Sequence, residues 1–379
     1  MASRKQQYSS LKLPYELVEE ILYRIPIEAL LRFKSVSKQW YALFNDRKRY
    51  MYTHLDLSKD RIMLVDKKSF QLSDPETKAF LLQPTPHELH NCNVLRTFHC
   101  DGLLLCECLQ KGSCYGSRKL AVWNPVLSQV KWIEHSNPYR NLDVYGFGYD
   151  NVSRDNYKIL RISNKDVFKI KGKSSEVEIY EFKSKLWRSV VVDATLECEP
   201  PWTYASMNGN MYWVNSRIFI QSFDFSTETF KTLCCVPDGV EWFSSDHSSL
   251  VLSGFGRERL SLLQRNEHVK IDVWVTNKVT DDGIVSWSKY FNVSIPDPPT
   301  LSPSLFNRCC SKYLVVKTNK ILLWCEDVDE RYVYTNVYEM GVEGLTKKQV
   351  EMTERARWDD YEKPCVSCVF VPSLVPVPE

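Results

Sequence analysis

The chain has 379 residues, 44% hydrophobic and 13% aromatic, with 49 basic and 47 acidic side chains for a net charge of +2. That balance excludes a polyanion binder driven by bulk charge. The length exceeds one ordinary compact domain unless that domain is a barrel or a repeat array, and 11 Trp with 20 Tyr favour strands over helices.

Residues 1–10, MASRKQQYSS, have no apolar core of the kind a signal peptide needs, and the reading takes them as a disordered N-terminus. From Leu13 onward apolar residues recur at Leu17, Ile21 and Ile25, with Val18 and Leu22 alongside, which is helical spacing. Glu16, Glu19 and Glu20 lie off that stripe, in the early turns where the helix dipole favours acids. Pro14 suits a first-turn position. Pro26 ends this helix and can begin a second, IEALLRF; Ser35 is the expected N-cap of a third that carries Val36, Trp40, Leu43 and Phe44. Three helices in so few residues make little core, so their apolar surface needs a cover, either the rest of this chain or another protein.

The ordered matches Leu13-Pro14, Ile21-Leu22, Arg24-Ile25-Pro26, Leu30-Leu31-Arg32-Phe33 and Val36-Ser37-Lys38-Gln39-Trp40 resemble an F-box. That motif binds the Skp-type adaptor of SCF ubiquitin ligases, and through it a cullin. The departures are Ile25 for the usual Leu, Ser35 where Cys is common, and Tyr50 near the usual closing Phe. The resemblance implies a docking module over residues 11–50. Its adaptor contacts would be Leu13, Pro14, Leu17, Ile21, Leu22, Ile25, Pro26, Leu30, Leu31, Val36 and Trp40.

After Tyr50 the pattern changes to period two, with short runs such as RIMLVD, GLLLCEC, VEIYEF, MYWVN and IDVWV between turn residues. The runs repeat. An apolar strand, a polar turn and a second apolar strand recur at 69–83, 121–134, 178–192 and 221–236, and more loosely at 272–293 and 336–352. Five of these hairpins follow another strand pair: TFHCDGLLLCEC, YGFGYDNVSRDNYKIL, YASMNGNMYWV, LVLSGFGRERLSLL and VVKTNKILLWCE. Four antiparallel strands in about 50 residues is the size of a propeller blade, and six copies predict an all-β, six-bladed propeller over residues 51–375. The leftover VSCVFVPSLVPV is expected to complete the first blade. Two stacked sandwiches are the alternative. YGFGYDNVSRDNYKILRI and MNGNMYWV resemble the F-box-associated, kelch-like domain of a large plant F-box family, although the kelch Gly-Gly signature is absent.

His87, His90, Cys92, His99 and Cys100 lie close together, but without paired ligands at zinc-finger spacing. Cys365-x-x-Cys368 has no second pair, and Cys106 and Cys108 read as packing residues between blades. No nucleophile elbow, phosphate loop or zincin motif is present. The reading therefore assigns no catalytic residue, metal or cofactor. The 13 cysteines without a regular framework point to a reducing compartment, the cytoplasm or nucleus, where the sequons at Asn151 and Asn292 carry no meaning. The propeller reads as a recognition surface, with Trp202, Tyr204, Trp242, Phe243 and Arg257 as candidate target contacts because such side chains dominate interface energies. Together the two halves predict a non-catalytic substrate receptor of a ubiquitin ligase. A non-ligase F-box adaptor and a ligand- or glycan-binding propeller are the alternatives.

Overall fold

The computed structural model describes residues 13–33, 36–46, 48–66, 69–77, 80–110, 118–135, 143–163, 176–191, 203–215, 219–240, 250–266, 270–280, 285–295, 299, 301, 312–317, 320–329, 332–341, 344–349, 356–357 and 365–379. The first part is helical: α1 (Tyr15–Tyr23), α2 (Ile27–Phe33), α3 (Lys38–Asp46) and α4 (Lys48–Leu57). Three helices were expected and four are present. Helix α4 lies where the strand pattern was expected to begin. Its buried residues Tyr50, Met51, His54 and Leu55 follow a helical spacing.

The helix starts follow from donor satisfaction. The Pro14 carbonyl accepts from Leu17 and Val18 at 3.1 and 3.2 Å, so Pro14 is the N-cap of α1 and stands before its first turn. The Pro26 carbonyl does the same for Ala29 and Leu30. Ser37, not Ser35, caps α3: its Oγ accepts from the Trp40 amide at 3.1 Å, the third N–H of the helix. Ser35 lies outside the described residues.

The remainder is a six-bladed propeller of antiparallel sheets. From the axis outward, blade 2 is Cys92–Cys100, Leu103–Gln110, Arg118–Asn124 and Gln129–Ile133. Blades 3, 4, 5 and 6 repeat this order from innermost strands Val144–Tyr149, Tyr204–Met207, Leu250–Phe255 and Lys312–Lys317. In blade 6 a short strand, Ala356–Arg357, also pairs with the third strand. Blade 1 is assembled from both ends of the sequence. Cys365–Phe370 lies innermost and pairs with Arg61–Asp66 in the register Arg61↔Phe370 to Asp66↔Cys365. That pairing gives blade 1 its fourth strand and closes the ring with strands from both ends of the sequence.

Burial grades across each blade. In blade 3 the two inner strands are buried throughout, while Leu186–Val190 at the rim is mostly exposed. The outer hairpins of blades 1, 2 and 4 turn on a side-chain acceptor. Asp74 Oδ1 accepts from the Glu76 and Thr77 amides, Asn124 Oδ1 from Val126 and Leu127, and Asp224 Oδ1 from Ser226 and Thr227, all at 2.8–3.2 Å. Between blades 1 and 2 the packing is Met63 and Phe70 against Leu104, Cys106, Cys108 and Trp123.

Strand direction alternates within each blade, so links from first to second and third to fourth strands emerge on one face, here called proximal. All other links emerge on the opposite, distal face. The helices lead into the second strand of blade 1, and the tail 371–379 leaves its innermost strand. Both therefore emerge side by side on the proximal face.

Candidate functional site

The helical module splits the residues expected to meet an adaptor into two groups. Leu13, Leu17, Ile21 and Val36 are 58%, 50%, 51% and 62% exposed, and Tyr41 joins them at 56%. Leu17 and Ile21, four residues apart, share one side of α1, and Leu13 precedes the helix. Pro14 and Pro26 are also exposed; Ile25, Leu31 and Trp40 are half-buried, with Trp40 tilted against Phe33 at 5.4 Å. Leu22 and Leu30 do not belong with them. They are buried in the module's own core with Ile27, Leu43, Phe44, Tyr50 and Met51. A single helical stripe thus serves two purposes, one flank holding the module together and the other left bare.

One member of that core comes from the far end of the sequence. Leu374 in the tail is 2% exposed among the helical residues, and Val126 and Leu127 of the blade 2 outer turn pack against the same cluster. The tail is fixed along its length. Val371 N donates to His99 Nε2 at 3.2 Å, and Asn124 Nδ2 donates to the Ser373 and Val375 carbonyls at 3.2 and 2.6 Å. Val377 N donates to Gln129 Oε1 at 3.0 Å, and Lys131 Nζ to the Pro378 carbonyl at 3.0 Å. Gly102 permits the passage: a Cβ there would stand 2.1 Å from Ser373 Cβ.

Arg257 was expected to face a target, but the structure puts it on the proximal face, engaged with α4. Its Nη1 donates to Asp56 Oδ1 at 2.6 Å and its Nη2 to the Leu55 carbonyl, where a cation complements the helix C-terminus. Arg154, which the sequence reading did not single out, donates to the same Asp56 oxygen at 2.9 Å. Its other nitrogens grip Asp101 at 2.8 and 3.0 Å, and its guanidinium lies 4.7 Å from the Tyr52 ring centre and 5.6 Å from that of Tyr149. A polar turn residue of this kind has no local signal; its partners lie 53 and 98 positions away.

Of the other expected target contacts, Tyr204 lies toward the distal side. Tyr204 begins the innermost strand of blade 4. Its ring stacks on Phe98 at 4.8 Å, its hydroxyl donates to the Thr97 carbonyl, and Lys312 Nζ sits 4.0 Å above its ring centre. Trp202, Trp242 and Phe243 lie outside the described residues.

A cavity of about 500 Å³ follows the axis, from Tyr204 and Lys312 to Asp60 and Arg257 beneath the helices. His99 also lines it; its Nε2 accepts from Gly102 N at 3.0 Å as well as from Val371 N, so the ring proton sits on Nδ1. Burial pulls its pKa down to about 4, and the neutral ring is the form in which Nε2 can accept both amides. Burial pushes the Asp60 carboxyl up, with nearby Arg257 opposing. Among the described residues no three His, Cys, Asp or Glu side chains gather as a metal centre would. The thiols of Cys106 and Cys368 are buried, and burial pushes both pKa values up, which makes them packing groups and poor nucleophiles.

Comparison with known proteins gives two matching family models. Residues 10–52 match the F-box domain, and residues 51–377 match the F-box associated beta propeller domain. An Arabidopsis thaliana protein named as an F-box protein is 43% identical, with 97% of this chain and 98% of that protein covered. A second F-box protein of Arabidopsis thaliana is 41% identical, with 96% and 97% covered. The F-box/WD-40 repeat-containing protein 1 of the same plant is 40% identical, with 97% and 89% covered.

Proposed function

We propose that this chain, which belongs to the F-box proteins carrying an F-box associated beta propeller domain, is a substrate-recognition subunit of an SCF-type ubiquitin ligase. The observation that carries the proposal is the bare flank of the helical module: Leu13, Leu17, Ile21 and Val36 stand at least half exposed on a unit that matches the F-box. Apolar side chains clustered this way need a partner. A Skp-type adaptor is the partner this family match supplies, with a cullin joined through it. Residues 11–50 act as the docking module and 51–375 as the recognition module.

The chain carries out no bond chemistry in this role. It acts by proximity, raising the effective concentration of a target's lysines at the ubiquitin-loaded enzyme. The target is held by the distal face, where Tyr204 stands at the mouth of the cavity and Trp202, Trp242 and Phe243 fall in sequence between blades. The receptor works in the cytoplasm or nucleus.

The test is a pull-down from plant extract with the full chain as bait. Wild type captures a Skp-type adaptor and a cullin. Ile21→Asp loses both while its melting temperature stays within a few degrees, because a half-exposed charge costs the free chain little yet is buried at the docking face. Adaptor capture without any cullin would instead favour a receptor acting outside a ligase. Capture by Ile21→Asp at full strength would refute the docking face.

A further inference from the structure

The contacts between helices and propeller follow a pattern that no single pair reveals. On blade 1, Arg61 Nη1 and Nη2 donate to the two Glu28 oxygens of α2, the second at 3.4 Å. On blade 3, Arg154 donates to Asp56 at 2.9 Å, and neighbouring Asp155 accepts from Lys48 of α4. On blade 5, Arg257 donates to Asp56 at 2.6 Å and to the Leu55 carbonyl. Blades 1, 3 and 5 are alternate members of a six-blade ring, so these attachments stand roughly 120° apart around the axis.

We propose that Arg61, Arg154 and Arg257 are positioning residues, three guanidiniums on alternate blades that hold the helical module at one orientation above the channel. The consequence for ligation rests on the function proposed above: the orientation fixes the direction and distance from adaptor to distal face. Relative motion is the ordinary state of two modules joined by a small polar interface. One or two adjacent contacts would leave a hinge line about which the helices could rock. Arg154 and Arg257 converge on Asp56 from two blades while Arg61 holds Glu28, and the apolar contact of Leu374, Val126 and Leu127 with the helical core, on the blade 2 side, opposes rocking about the line between those two points.

Each leg is weak alone. Asp56 is 47% exposed, and an exposed ion pair contributes little because solvent screens it. The propeller side is nonetheless preorganised. Arg154 is clamped by Asp101, whose side chain is 11% exposed, and its guanidinium lies 5.6 Å from the Tyr149 ring centre. The guanidinium is in place before the helix arrives, so little side-chain freedom is lost on forming the contact.

The test measures distance distributions by pulsed electron spin resonance in the full chain. Spin labels are carried by non-natural side chains at Lys38 on α3 and Leu186 on the blade 3 rim, both exposed. Wild type and Asp56→Glu should give one narrow peak. Asp56→Ala combined with Arg61→Gln removes the Arg61–Glu28 pair and both arginine bonds to Asp56 without touching the Arg154–Asp101 clamp, leaving of the arginine legs only the Arg257 bond to the Leu55 carbonyl, and should broaden the peak about twofold or more as interdomain motion returns. Its melting temperature should match that of wild type, which separates lost positioning from lost folding. A wild-type peak width in the double variant, or a broad peak in wild type, overturns the proposal. A second readout is the pattern of self-ubiquitination sites in the reconstituted ligase, confined to one arc in wild type and spread around the ring in the double variant. Unchanged sites beside a broadened distance would overturn the consequence for ligation. Failure of wild type to assemble with adaptor would count against the function proposed above, and the distance result would still decide the positioning.

Discussion

Leu374→Ala is the sharpest test of whether the helical module depends on the tail. The side chain is 2% exposed among Leu22, Leu30, Phe44 and Met51, yet belongs to a segment more than 300 positions later in the sequence. Truncating a buried leucine costs about 2–5 kcal/mol, depending on how far the cavity collapses. Here collapse is restricted, since Ser373 and Val375 on either side are held by Asn124. The upper half of that range, about 3–5 kcal/mol, is therefore expected. At about 1.4 kcal/mol per factor of ten, amide exchange in helices α1–α4 should speed up on the order of a hundredfold to a few thousandfold. Amides of blades 4 and 5, which Leu374 does not touch, should keep their protection. Val377→Ala, half-buried in the same tail but outside the helical cluster, should change helix exchange by less than about tenfold. Unchanged exchange in α1–α4 for Leu374→Ala would show that the helices are stable without the tail.

Two further substitutions test the close passage of the tail and the buried ring beneath it. Gly102→Ala combines a φ of +78° with a Cβ 2.7 Å from the Val371 carbonyl oxygen, and should cost about 2 kcal/mol more than Gly256→Ala, where φ is +61° and the space is open; equal losses by denaturant titration would mean the tail moves aside freely. His99 is held neutral in the fold with a pKa of about 4, against about 6.5 when unfolded. Between those values the unfolded chain binds the extra proton, so the stability this histidine contributes is complete above about pH 6.5 and declines as pH falls toward 4. His99→Gln should flatten that part of the pH–stability curve, and a curve of unchanged slope would refute the assignment.

Much of this arrangement was legible in the sequence, for identifiable reasons. Strand alternation and Asx-type turns are local signals, so hairpins such as the one closed by Asp224 could be found by eye, and their spacing gave the blade count. Helical period likewise exposed the α1 stripe. It could not divide Leu22 and Leu30 from Leu17 and Ile21, because period reports which residues share a side and not what covers it. Helix α4 was legible and missed: Tyr50, Met51, His54 and Leu55 carry the spacing, but the search for strands began there. Arg154 and Arg257 were beyond local reading. One sits in a turn that drew no separate reading and the other read as a target contact, and only the closed ring brings both to Asp56.

The completion of blade 1 by Cys365–Phe370 sets an order on biosynthesis. A chain made from its N-terminus releases the helices first, yet the leucine that finishes their core is translated some 300 residues later. At ordinary elongation rates that interval is roughly 15–60 seconds. During it the helices lack their last core residue and blade 1 lacks its innermost strand. A message cut short before codon 365 therefore yields neither a closed ring nor a finished docking module. The complete helical core therefore forms after the last strand and the tail in order of synthesis.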